Sequence, residues 1–395
     1  MSHADELARA VEAARGVAAR MARRPRREIA SALAVAARRW RTDPALRDSL
    51  PVQAGLSAPV VAAGVDVAAE ALDAGAMVDL VARELGTERP RRPWLVAHVL
   101  ASNVPALGLP AIALSCLAGA AVVVKSGRAD RVSAPAFRRA LEAEDEELAA
   151  TVVTPYWAGS ERLAEEALLA RADVVVATGA DETVASLVRR LGARVVGHGE
   201  RASIAVLGRP VLEDADTVAR RVAQDVALHD QRGCLSPVAV YVAADVAAFA
   251  ERLAAALEAL ADAWPPGSCS PAERAAHRTA VAEAEWAGAT VLGGSASGTV
   301  LLHSDPRLRP CPRGRTVWVH PLASLSEVLP AGRIECVGVA GAPVDLDALR
   351  RLGVSRVCAP GRMQRPPLSW PRGQHAPLRS LLGSSAERRL EVEPP

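Results

Sequence analysis

At 395 residues the chain is longer than one hydrophobic core usually serves, so two domains are expected. Half of its residues are hydrophobic, only 3% are aromatic, and the formal net charge is +2 with both signs interspersed. That composition is typical of a folded enzyme with cores of small aliphatic side chains, and it leaves no basic footprint for nucleic acid.

Residues 1–92 read as an N-terminal helical region that packs on the domain following it. They open on SHADELARAVEAAR, a polar helical stretch without the apolar core of a signal peptide. The basic run Arg20, Arg23, Arg24, Arg26 and Arg27 reads as a solvated helix face rather than a site for an anionic partner. The six cysteines (116, 234, 269, 311, 336 and 358) stand far apart with no CxxC pair, so no metal centre is expected and the compartment reads as a reducing cytoplasm.

From Trp94 the pattern changes to short aliphatic strands alternating with amphipathic helices. The predicted strands are WLVAHVL, AAVVVKS, ATVVTP, ADVVVAT and ARVVG, followed by ASIAVL, with helices over 105–117, 134–143, 161–169 and 181–191. This is the sequence form of an α/β fold with a doubly wound parallel sheet, here a Rossmann-type dinucleotide-binding domain over 93–208. The uncharged stretch 94–124 would pass a length test for a membrane span. Asn103, Pro105, Gly108 and Pro110 interrupt it, so it reads as a buried strand, turn, helix and strand instead.

The segment EDADTVARRVAQDVALHDQRGC places Val218, Val222 and Val226 at helical spacing, with Asp214 or Asp216 available as a cap. A second α/β domain is expected over 209–351, facing the first across a cleft, and 352–395 as a return segment rich in Pro and Arg.

Four places could carry chemistry. Cys234, in DQRGCLSP, follows the helix at a loop where Gly233 permits an unusual turn; exposed N–H groups there can lower a thiol pKa and make a thiolate nucleophile. By position alone it reads equally well as a small buried hydrophobe. Lys125 is the only lysine in a chain that otherwise uses arginine, and it ends the strand AAVVVK where a nucleotide would meet the sheet. Asn103 lies in a strand-to-helix turn from which a carboxamide can donate to a developing oxyanion, although Asn is common in turns. Thr178, Gly179 and Ala180 form a tight turn before a helix whose free N–H groups could receive a diphosphate, without the GxGxxG pattern.

In order and spacing these pieces resemble the aldehyde dehydrogenase superfamily. More closely, they are similar to its acyl-CoA reductase (LuxC-like) branch, which supplies aldehyde to bacterial luciferase. HVLASNVP resembles that branch's substrate-side Asn turn, VVVKSG its nucleotide-ribose lysine strand, VVATGADETV its nicotinamide-side turn, and DQRGCLSPVAVYV its nucleophile segment. GHGERASIAVL and the closing LGVSRVCAPGRMQRPPLSW are similar as well. The resemblance spans roughly residues 94–370 and implies an aldehyde dehydrogenase-like fold. It also implies reduction of a fatty acyl thioester to an aldehyde, with Cys234 carrying the acyl group, Asn103 and the Cys234 N–H holding the oxyanion, and Lys125, Ser126 and the 178–180 turn holding the dinucleotide.

The basic neighbours Arg128 and Arg131 favour NADPH over NADH. The acyl donor would be acyl-CoA or an acyl-carrier or acyl-transfer protein, and the subunits would form a homo-oligomer. A non-catalytic scaffold of the same fold is the contrasting expectation. Hydrolytic members of the superfamily place a glutamate base where this chain has Gly197-His198-Gly199-Glu200, which puts no carboxylate at that position.

Overall fold

The computed structural model describes residues 3–87, 94–157, 161–294, 296–325, 329–330, 332–383 and 389–393. Two sheets organise them. The first contains β1 (Leu95–Val99), β2 (Ala121–Lys125), β3 (Val152–Val153), β4 (Val174–Thr178) and β5 (Val195–His198), in the order β3-β2-β1-β4-β5. Every pairing is parallel, so all five carboxyl ends share one edge.

Coverage of both faces explains why these strands are mostly aliphatic. Leu95, Ala97, Ala121, Val123, Val175 and Ala177 face one core, joined by Leu7, Val11 and Ala14 of the helix His3–Arg20. Their neighbours Val96, Val122, Val124, Val174 and Val176 face the other. That second core is covered by Gly108–Ala118 and by the N-terminal helices Arg26–Trp40, Ala58–Glu70 and Ala74–Glu84. The stretch 94–124 is therefore a strand, turn, helix and strand inside the protein, and no described helix is long and apolar enough to cross a membrane.

The second sheet adds β6 (Ala202–Leu207), β7 (Pro237–Val242), β8 (Thr290–Gly294), β9 (Gly298–Leu302), β10 (Thr316–Pro321), β11 (Ile334–Ala340), β12 (Arg356–Cys358) and β13 (Glu391–Val392). Their order is β13-β12-β11-β6-β7-β10-β9-β8, with only β8 and β9 antiparallel. Here the structure corrects the sequence reading. ASIAVL, grouped with the first domain over 93–208, lies between β7 and β11 at the centre of the second sheet. Its alternating aliphatic residues specify a strand buried on both faces, and nothing local specifies which sheet receives it.

ATVVTP pairs only through Val152 and Val153 at the edge of the first sheet. The return segment serves both halves: β12 and β13 extend the second sheet, while Leu378 and Leu381 enter the first sheet's core. Asp214 occupies the cap position of the helix Ala215–Ala227, but its side chain makes no capping bond, and Asp216 pairs with Arg252 at 3.1 Å.

Candidate active site

The helix Ala215–Ala227 buries Val218, Val222 and Val226 against the second sheet and so fixes the loop that follows. That loop is unusual. His229, Asp230 and Gln231 have consecutive φ values of 56, 50 and 60°, a left-handed run without glycine. Such residues cost of order 1–3 kcal/mol each, so surrounding contacts must hold them.

Those contacts are specific. Asp230 and Arg315, both buried, form an ion pair at 2.7 Å, and Asp230 also accepts from the Gly267 N–H at 2.9 Å. The Gln231 amide donates to the carbonyls of Pro237 and Thr316 at 2.9 and 2.5 Å and accepts from the Thr316 N–H at 2.8 Å. Arg313 donates to the carbonyls of Gln231 and Gly233 at 3.3 and 3.4 Å, and Ser203 Oγ donates to the Cys234 carbonyl at 2.6 Å. The backbone under Cys234 is thus held from β6, from β10 and from the segment before β10.

Cys234 is half-buried and lines a mainly apolar cavity of about 250 Å³ between the two sheets. Asn103, Thr178 and His198 line the same cavity. Asn103, in the turn after β1, donates from Nδ2 to the Arg232 carbonyl at 2.7 Å, which leaves the amide's second hydrogen for a ligand. Thr178, the last residue of β4, is paired with His198 of β5 and accepts from Arg372 at 3.2 Å.

One electrostatic expectation is corrected. Burial pushes the Cys234 thiol up from its ordinary value rather than down, and Glu335 adds to the effect. Arg372 is the largest opposing influence, followed by Arg313. The thiolate therefore depends on cations brought from elsewhere in the chain. His198 is held well below the usual histidine range, first by desolvation and then by Arg372 and His375, so it is neutral and a weak base. His98 is buried against Ser115 at 3.0 Å and pushed down to about 3 by desolvation, which makes it a structural group.

The other predicted residues stand apart from this cavity. Lys125 ends β2 and Ser126 follows it, buried, on the carboxyl edge of the first sheet. Lys125 is half-buried, its pKa lowered by desolvation, and it makes no hydrogen bond or ion pair among the described residues. Burial lowers that ammonium's pKa, and the charge of Glu165 partly offsets the effect. Gly179 and Ala180 lead into the helix Asp181–Leu191, and the Gly179 N–H donates to the His198 carbonyl at 3.2 Å. Its first turn carries Asp181 and Glu182, and Asp181 is committed to the Glu200 N–H and Arg333. These acids disfavour a diphosphate lying directly on that helix end.

Sequence reasoning missed Arg372, Trp370, His375 and His229, all of which line the cavity. For the first three the only signal was PLSWPRGQHAPL, a Trp, Arg and His string inside a return segment. His229 carried none. Its ring is 5% exposed and desolvation lowers its pKa to about 4, while Nδ1 is buried without a partner. Such a stranded atom costs about 1–3 kcal/mol.

A family model described as acyl-CoA reductase (LuxC) matches residues 27–382. A long-chain acyl-protein thioester reductase of Aliivibrio fischeri is 26% identical over 313 residues, covering 72% of this chain and 65% of that protein. A second, from Photobacterium leiognathi, is 28% identical over 240 residues, or 59% and 50% of the two chains. The chain thus spans about half to two thirds of the length of these curated relatives. Among solved structures, aldehyde dehydrogenase 21 of Physcomitrella patens superposes with a TM-score of 0.75 at 15% identity, over 96% of this chain and 89% of that one. That likeness shows an aldehyde dehydrogenase fold.

Proposed function

The chain belongs to the acyl-CoA reductase (LuxC) family, and from that premise we propose that it reduces an acyl thioester to an aldehyde through an acyl group carried on Cys234. The observation that carries the reading is the convergence of Cys234, Asn103 and Thr178 on one cavity from three separate stretches of chain.

The Cys234 thiolate attacks the thioester carbonyl carbon; a carbon–sulfur bond forms, and the donor's carbon–sulfur bond breaks as its thiolate leaves and takes up a proton. The oxyanion of the tetrahedral state is met by the free hydrogen of the Asn103 amide and by the Cys234 N–H. Arg372 offsets the desolvation of the sulfur. When bound, a reduced nicotinamide cofactor supplies the reducing equivalents that bring the acyl group to the aldehyde level. Lys125 and Ser126 would hold its ribose, and the Thr178–Ala180 turn would border its nicotinamide. Arg128 and Arg131 beside that lysine favour NADPH.

Hydrolysis is disfavoured by the same residues. The chain has Gly197-His198-Gly199-Glu200 at the place of the superfamily's glutamate base, so no carboxylate stands there to activate water, and burial makes His198 a weaker base than a free imidazole. The cavity's mainly apolar lining suits an aliphatic acyl chain. The curated relatives are named as acyl-protein thioester reductases, so a protein-bound acyl donor stands beside acyl-CoA.

Intact-mass measurement tests the proposal. Incubation with acyl-CoA or acyl-carrier protein should add one acyl group to the wild type and none to Cys234→Ala, and NADPH should remove it with release of aldehyde. Acylation of the Cys234→Ala protein would overturn the assignment.

A further inference from the structure

Among the polar groups of the cavity that the acyl reading leaves unused, His229 has a buried ring nitrogen without a partner among the described residues. It lines the cavity beside Gly64, Val67 and Leu114, all apolar or small, yet it is an imidazole. Its position is costly in two independent ways: the backbone is left-handed at φ 56°, and Nδ1 is sealed without a partner among the described residues. Space has been cleared for it as well. A Cβ on Gly64, in the facing helix Ala58–Glu70, would come within 2.4 Å of His229 Cε1 and 3.2 Å of Nδ1.

The tautomer follows from these surroundings. A neutral imidazole carries one N–H, and a stranded donor is worse than a stranded lone pair. The proton therefore belongs on Nε2, the ring nitrogen left to serve the cavity.

Resting on the acyl-thioester reading, we propose that His229 is a specificity-determining residue whose Nε2–H donates to an oxygen atom borne by the otherwise apolar substrate. Two parts of a thioester substrate could carry that oxygen: a hydroxyl or keto group on the acyl chain, or an amide carbonyl of the pantetheine arm. Either supplies the same acceptor. An isosteric apolar residue would fill the site without stranding a nitrogen, so the imidazole earns its place only with such a ligand.

The test compares rates of Cys234 acylation, read by intact mass, for matched thioesters. One pair is dodecanoyl-CoA against dodecanoyl-CoAs hydroxylated at successive carbons. The other is the dodecanoyl thioester of N-acetylcysteamine against that of pentanethiol, a chain of the same length without the amide. In the wild type one pair should favour the oxygen-bearing member by roughly tenfold, the scale of one hydrogen bond. His229→Leu should erase that ratio, His229→Asn should retain part of it, and Gly64→Ala should weaken it by pushing the imidazole aside.

Loss of the ratio in the first pair places the oxygen on the chain, and loss in the second places it on the arm. Should His229→Leu fail to fold, Gly64→Ala and His229→Asn give the answer. Ratios unchanged in the folded variants, or a wild type that favours neither oxygen-bearing member, overturn this inference while leaving the acyl-transfer reading intact. A wild type that no thioester acylates overturns both.

Discussion

The Asn103 side chain donates to the Arg232 carbonyl at 2.7 Å, joining the turn after β1 to the loop that carries Cys234. Residues 129 positions apart are thereby held in contact, and Asn103 and Cys234 line one cavity. If the amide's other hydrogen meets the oxyanion, Asn103→Ala should slow single-turnover acylation by ~10²–10³-fold with little change in thermal stability. An unchanged acylation rate would remove Asn103 from the chemistry.

Burial makes Cys234 a reluctant thiolate in the free protein. Its alkylation by iodoacetamide should therefore be slow at neutral pH, with a midpoint above the ~8.5 of free cysteine. Because Arg372 is the main group favouring the anion, Arg372→Gln should move that midpoint higher still. A midpoint below that of free cysteine, or one indifferent to Arg372→Gln, would contradict this electrostatic account.

The buried Asp230–Arg315 pair holds the left-handed loop. Arg315→Leu leaves the carboxylate buried and unpaired, a loss of about 3–5 kcal/mol, and should lower the melting temperature and acylation together. Normal stability in that variant would show that the loop is held by other contacts.

Asp225, at the inner face of the helix before the nucleophile loop, accepts from the Gly361 N–H at 2.5 Å, and desolvation raises its pKa to about 7. An acid whose folded pKa lies above its unfolded value of ~3.9 contributes stability that is complete below the unfolded value and is lost as pH rises through the folded one. Stability contributed by this group should thus decline between pH ~4 and 7, by up to about 4 kcal/mol, and Asp225→Asn should flatten that slope. Parallel pH profiles for the two proteins in urea denaturation would reject the prediction.

Lys125 makes no direct hydrogen bond or ion pair among the described residues, and Glu165 is the charge that favours its ammonium form. Lys125→Ala should weaken NADPH binding by roughly tenfold or more while leaving acylation of Cys234 intact. Equal nucleotide affinity in the variant would rule out its proposed ribose contact.

Much of the architecture was legible in the residues themselves. WLVAHVL, AAVVVKS and ADVVVAT are mostly aliphatic because both faces of a parallel sheet are covered, and that pattern is local. Cys234, Asn103, Lys125 and the 178–180 turn could be singled out because each ends an element whose type its neighbours declare. ASIAVL shows the boundary of such reasoning: its strand character was evident, and its sheet was not.

Alternation and turn chemistry therefore determined, from sequence alone, which segments become buried strands and which residues stand at their ends. Tertiary structure decided which sheet received β6, that Arg372 and His229 would reach the cavity, and that burial would push the Cys234 thiol up instead of down. The physical reason is range: hydrophobic periodicity acts over a few neighbouring residues, whereas desolvation and charge at one sulfur sum over Arg313, Glu335 and Arg372, which only folding brings together.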